Sequence, residues 1–225
     1  MKNILFLILL LSTQFIEAQK EKITQELVKF TQIKAFDGLS INLIKSNVNK
    51  AIIHGVNTKN VTINNNNGLL KLKMEFTKIF SGYRTFIDLH YTEELTVIDV
   101  NEDARVTSDN VINQDVIELK TQEGGEIIVN VQVQQLLIKS IIGGVITTQG
   151  FSHNQDVIVN TGGTYLGKAF KTKFTTVSVN TGSKAEIYAT NYVKATAKAG
   201  GEVSIYGNPS KIDEKTIFGG KVNKM

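Results

Sequence analysis

Six glycine-centred steps recur along the second half of the chain: Gly124-Gly125, Gly143-Gly144, Gly162-Gly163, Gly182-Ser183, Gly200-Gly201 and Gly219-Gly220. Their first glycines lie 19, 19, 20, 18 and 19 residues apart, and the phrase VNTG is written twice, at 159–162 and 179–182. A unit of that size is too small to bury its own apolar face, so only stacking of successive units produces a shared core.

Aligning the units on the first glycine makes them legible. Five places before it stand Leu119, Ile138, Val157, Val177 and Ala195; three places before it stand Thr121, Ser140, Val159, Val179 and Ala197. After it come Ile127, Ile146, Tyr165, Val203 and Val222, and Ile187 joins the same column if the extra residue of the 20-residue interval sits among Lys184 to Glu186. Alternation with period two is the strand signature, and glycine suits a corner because it enters positive φ at no steric cost. An earlier, looser turn has Asp103 in place of the glycine, preceded by Ile98 and Val100 and followed by Val106. The expected fold is therefore all-β: a parallel β-solenoid of about seven coils of about 19 residues, with Gly124, Gly143, Gly162, Gly182, Gly200 and Gly219 as structural corners. Rungs about 4.8 Å apart make a rod of roughly 30–35 Å. Asn160 and Asn180 are expected to stack and share amide hydrogen bonds. Hairpin meanders turn every 8–12 residues, and propeller blades need about twice this period.

Residues 30–90 are β-rich but lack this register. NNNNG at 64–68 reads as a hairpin turn, since Asn and Gly tolerate left-handed backbone. This part is expected to cap the rod, because a bare rung exposes unpaired strand edges. The opening MKNILFLILLLSTQFIEAQ has a basic residue, an eight-residue apolar run (Ile4 to Leu11) too short to span a bilayer and a small residue, Ala18. It reads as a secretory signal peptide over 1–18, followed by a 19–29 linker, the 30–90 part and coils over 91–225. The terminal KVNKM carries no anchor, so the expected location after export is the periplasm, with surface display or release as the alternatives. No cysteine exists to form disulfides or carry an acyl anchor.

Charge is uneven. The chain is +4 overall, yet residues 165–225 carry ten lysines against Glu186, Glu202, Asp213 and Glu214, a net of +6. Lys168, Lys171 and Lys173 crowd one inter-strand loop, and Tyr188 and Tyr206 each stand six places after a corner glycine. These five are the candidate ligand contacts, a cationic patch beside two tyrosines that read either as an aromatic strip for sugar stacking or as a stacked pair closing the C-terminal corner. Catalytic chemistry does not assemble. His54, His90 and His153 share no spacing; Glu126 and Glu202 fall four coils apart, about 19 Å by the rung spacing, too far for two-carboxylate glycoside cleavage. The aspartate ladder of calcium-binding solenoids is missing.

Four stretches in order, FTQIKAFDGLSINLIKS (30–46), NNNNGLLKLKM (64–74), FIDLHYTEELTVIDVNEDARVTS (86–108) and SIYGNPSKIDEKTIFGGKV (204–222), together with the glycine pairs, resemble the auto-transporter adhesin head GIN-domain family of exported Gram-negative bacterial proteins. The resemblance implies a right-handed solenoid and no enzyme activity. The functional expectation is an exported, non-catalytic cell-envelope module, adhesin-like, binding a polysaccharide or protein or itself, with no cofactor, metal, nucleic acid or membrane span. The alternative is a polysaccharide lyase or glycosidase on a β-helix.

Overall fold

The computed structural model describes residues 22–225; the expected leader over 1–18 and the start of the 19–29 linker lie outside them. Eighteen strands follow in chain order. The first ten are β1 (Ile23–Glu26), β2 (Gln32–Ala35), β3 (Ser40–Lys45), β4 (Lys50–Gly55), β5 (Val61–Asn66), β6 (Leu69–Met74), β7 (Thr85–Tyr91), β8 (Val97–Val100), β9 (Arg105–Ser108) and β10 (Ile112–Asn113). The rest are β11 (Val116–Thr121), β12 (Glu126–Ile141), β13 (Val145–Asn160), β14 (Thr164–Asn180), β15 (Lys184–Lys198), β16 (Glu202–Tyr206), β17 (Lys211–Ile217) and β18 (Lys221–Lys224). The longest of them run 15–17 residues, from one corner to the next, bending midway. Among the described residues no helix is long and apolar enough to cross a membrane.

The solenoid is present with the expected parallel register. Leu119, Ile138, Val157, Val177 and Ala195 form one continuous column, each the direct partner of the next. All five are buried, as is the column of Thr121, Ser140, Val159, Val179 and Ala197. The post-glycine column runs Val106, Ile127, Ile146, Tyr165, Ala185, Val203 and Val222. Ala185, not Ile187, holds the place in the coil after Gly182. The extra residue of the 20-residue interval is absorbed earlier, in a bulge between Leu166 and Phe170. Asn160 and Asn180 are register partners, but no amide–amide hydrogen bond joins them. Beside Asn180 the Ser183 hydroxyl shares its hydrogen between the Asn180 and Val159 carbonyls and accepts from the Asn180 N–H.

Each corner is a pair of consecutive left-handed residues followed by a close approach. Ile142, Thr161, Thr181, Ala199 and Phe218 take φ of 47–53°, and the glycines after them take 66–77°. Two positive φ values in a row define a type I′ geometry. The N–H of each first glycine donates to the carbonyl of the left-handed residue in the next corner: Gly124 to Ile142, Gly143 to Thr161, Gly162 to Thr181, Gly182 to Ala199 and Gly200 to Phe218. The second glycine has a different job. A Cβ on Gly163 would stand 2.5 Å from the Ser140 carbonyl oxygen, and one on Gly220 would stand 2.1 Å from that of Ala197.

The N-terminal region joins the same stack. β2 and β3, linked by the left-handed corner Asp37-Gly38, pair in parallel with β8 and β9 on one side and with β6 and β7 on the other. The parallel stack thus gains two layers before the Asp103 corner. Beyond them antiparallel β5 pairs with β6, antiparallel β4 with β7, and β1 with β4. The β5–β6 turn is Asn67-Gly68, both left-handed, as the NNNNG stretch implies. At the other end β17 and β18 have neighbours on one side only, and they present Lys211, Asp213, Glu214, Lys215, Lys221 and Lys224. Charges on an exposed edge discourage strand addition.

One polar cluster lies inside the rod. The fully buried Tyr165 hydroxyl is 2.7 Å from Thr148 Oγ1 and accepts from Gln155 Nε2 at 2.6 Å. Burial pushes its pKa far above the ordinary tyrosine value. Tyr165→Phe leaves Thr148 and Gln155 short of a partner in the core, and an orphaned buried polar group costs about 1–3 kcal/mol. A loss of that size is expected in urea unfolding; an unchanged midpoint would contradict the pairing.

Candidate ligand-binding surface

Where each long strand bends, side chains that alternate outward line up across coils. One outward row runs Asn113, Gln132, Phe151, Lys171, Tyr188 and Tyr206, each in register with the next. A few residues further round the bend a second row runs Asn154, Phe174, Tyr192 and Lys211. The mechanism is the pleat itself: residues of one parity face the core, those of the other face solvent, and parallel stacking repeats the choice every coil.

The five residues singled out in the sequence meet here to different degrees. Lys171, Tyr188 and Tyr206 are consecutive in one row. Lys168, raised on the bulge after Leu166, reaches across two layers and sets its ammonium 4.7 Å from the Tyr206 ring centroid. Lys173 is exposed between the rows, flanked by Thr172 and Phe174. Among the described residues none of the three lysines is ion-paired with a carboxylate, and neither the Tyr188 nor the Tyr206 hydroxyl has a hydrogen-bond partner. Gly207 brings its backbone under the Tyr188 ring, where a Cβ would stand 2.6 Å from a ring carbon.

Sequence reasoning missed Phe151, Phe174 and Tyr192, and considered His153 only as a catalytic or metal-binding candidate. Phe151 and Phe174 are more than a third exposed, and His153 lies against Phe174 with ring centroids 5.4 Å apart. Tyr192 donates to Asp213 at 2.7 Å, which holds that carboxyl below its usual range, and Lys211 sits 5.6 Å from the Tyr192 ring. Their offsets from the corner glycines differ because bulges follow Thr147, Leu166 and Thr172. The rows appear only once pairing is known.

Carboxylates do not converge on this surface. Glu126 and Glu202 occupy the same outward column but with Val145, Thr164 and Lys184 between them, and Glu126 is tied to Arg105 at 3.2 Å. Among the described residues no group of three or more His, Cys, Asp or Glu side chains is placed to hold a metal ion. Fold and surface together define a class: a parallel β-solenoid presenting continuous outward rows of lysine and aromatic side chains.

The chain belongs to the family described as "Putative auto-transporter adhesin, head GIN domain", whose model matches residues 29–209 and so ends before the β17–β18 layer. Among solved structures it is similar to a "putative adhesin" from Bacteroides fragilis NCTC 9343, with a TM-score of 0.80 at 16% identity over 92% of this chain and 98% of that one. A "putative adhesin" from Parabacteroides distasonis ATCC 8503 superposes with a TM-score of 0.73 at 16% identity, covering 92% and 97%. A "putative lipid binding protein" from the same organism gives 0.72 at 14% identity, covering 93% and 98%. At these identities the likeness is one of fold. No curated protein matches the sequence.

Proposed function

We propose that this protein is an exported, non-catalytic module of the cell envelope that holds an acidic polysaccharide along the outward rows at the strand bends. The observation that carries the reading is the row Phe151, Lys171, Tyr188, Tyr206 with Lys168 over the last ring. Sugar rings stack on aromatic faces, and the ammonium groups of Lys168, Lys171 and Lys173, clustered on one coil beside that row, attract anionic groups of an extended polymer. The signal-peptide-like leader supports export to the periplasm or surface, and membership of an adhesin family supports binding as the role. One of the similar structures carries a lipid-binding description; an anionic lipid headgroup would meet the same lysines, but the open row of rings and ammonium groups suits a linear polymer better.

If the contact is electrostatic, retention on an acidic-polysaccharide column falls steeply between low and physiological salt, because exposed charges are screened over about 8–10 Å. Replacing Lys168, Lys171 and Lys173 together with Gln is expected to weaken retention at low salt without altering the melting curve. Unchanged retention of that variant rejects the patch.

A further inference from the structure

A second concavity lies at the other end of the rod, unrelated to the lysine rows. On the outward face of β4, β7, β3 and β9, one row reads His54, Phe86, Ser40, Arg105 and the next reads Ile52, Asp88, Asn42, Thr107. Ser40 and Asn42 are short, while the strands beside them carry Phe86 and Asp88 on one flank and Arg105 and Thr107 on the other. The result is an open groove of about 270 Å³. That is just below the ~300–1,000 Å³ of pockets for drug-sized ligands, which sizes the occupant at about one ring.

Its chemistry is mixed. Phe86 is 43% exposed and stacks on His54, ring centroids 5.5 Å apart and planes at 21°, giving an extended aromatic floor. The His54 Nε2 lies 3.6 Å from the Asp88 carboxylate, and the Arg105 Nε is taken by Glu126. Asn42 Oδ1 is buried and accepts no hydrogen bond. Rotation about the terminal side-chain torsion of asparagine is soft, so this oxygen turns toward an incoming donor without breaking a bond it already makes. The groove thus offers an apolar ring face, an amide and a carboxylate that accept, and hydroxyls on Ser40 and Thr107 that donate or accept. Arg105 is neutralised by Glu126, and Asp88 repels an anion.

We infer that this groove binds one neutral pyranose ring of a glycan, with the ring on Phe86 and its hydroxyls donating to Asn42 and Asp88. It is a site distinct from the acidic-polymer rows and independent of them. The test is backbone amide shift mapping of the isotope-labelled full mature chain, titrated with the methyl glycosides of glucose, galactose and mannose and, separately, of glucuronic acid. At least one neutral glycoside is expected to shift the amides of Ser40, Asn42, Phe86, Asp88 and Arg105. Phe86→Ala and Asn42→Ala, each retaining the dispersed spectrum of the coil amides, are expected to weaken that binding by about tenfold or more, whereas the Lys168, Lys171 and Lys173 triple variant leaves it intact. No shift with any neutral glycoside, a response to the glucuronide alone, or shifts confined to the C-terminal rows would each overturn the assignment.

Discussion

Val157→Asp abolishes cooperative unfolding. Val157 sits mid-column with Ile138 before it and Val177 after it, all three within 2% of complete burial. A carboxylate there faces apolar side chains above, below and across the core, and an unpaired buried charge costs several kcal/mol even after relaxation. Against a typical total of about 5–15 kcal/mol that is a large share. The geometry of a solenoid adds to it, because each coil is stabilised chiefly by its neighbours. A broken rung in the middle uncouples the coils on either side. Chemical denaturation followed by circular dichroism is expected to lose its single sigmoid. A variant that melts like the parent would show that the column is misassigned.

The second large effect distinguishes the two glycines of one corner. Gly163→Ala places a Cβ 2.5 Å from the Ser140 carbonyl oxygen and 2.9 Å from its hydroxyl, which is already committed to the Gly144 carbonyl and to Thr121. The backbone of the neighbouring coil must shift to make room, so the cost is expected within or above the usual ~1–3 kcal/mol of overpacking. Gly162→Ala meets open space. It carries only the penalty of a left-handed backbone at φ 71°, about 1–2 kcal/mol. Urea midpoints of the two variants should therefore differ in the order Gly162→Ala above Gly163→Ala. Equal midpoints would mean that the close approach contributes nothing. Ser183 shows how one coil manages with a side chain at this place: its hydroxyl is fully buried and spends itself on the Val159 and Asn180 carbonyls.

What the sequence disclosed follows from where its signal is periodic. The glycine interval and the alternation around it located the corners and the inward columns, because both are imposed on every coil by the same backbone geometry. The Asp37-Gly38 corner obeys the identical rule, with Ile33 and Ala35 before it and Ile41 after it, all buried. It escaped notice because residues 46–96, which hold β4 to β7, come between it and the next coil in sequence though not in space. A period is visible only while consecutive coils are consecutive in the chain. The condition that would bring Ile187 into the column is not met for a related reason: the extra residue does not sit among Lys184 to Glu186 but is absorbed in the bulge before Phe170. The bends, where those bulges collect, are also where the outward aromatic rows lie. Lys171 and Tyr188 stand at different distances from their own corner glycines yet are direct partners. Candidate residues for binding were therefore partly legible as types, lysines and tyrosines near one another in sequence, while Phe151, Phe174 and Tyr192 needed the register.

The separation of the two carboxylates that follow the corner glycines bears on the competing view of the protein as a polysaccharide-acting enzyme. Glu126 and Glu202 point out of the same column four rungs apart, whereas glycoside cleavage needs two carboxyl groups about 5–9.5 Å apart. Binding and cleavage separate in a single measurement. The purified mature chain is incubated with a defined acidic polysaccharide such as polygalacturonate at low salt and resolved by size-exclusion chromatography with light scattering. Reducing and unsaturated ends are assayed in the same fractions. Co-elution of protein with polymer of unchanged chain length, reversed by physiological salt and diminished in the Lys168, Lys171 and Lys173 triple variant, is the predicted result. Separate elution at low salt, or shortened chains with new reducing or unsaturated ends, would contradict the account.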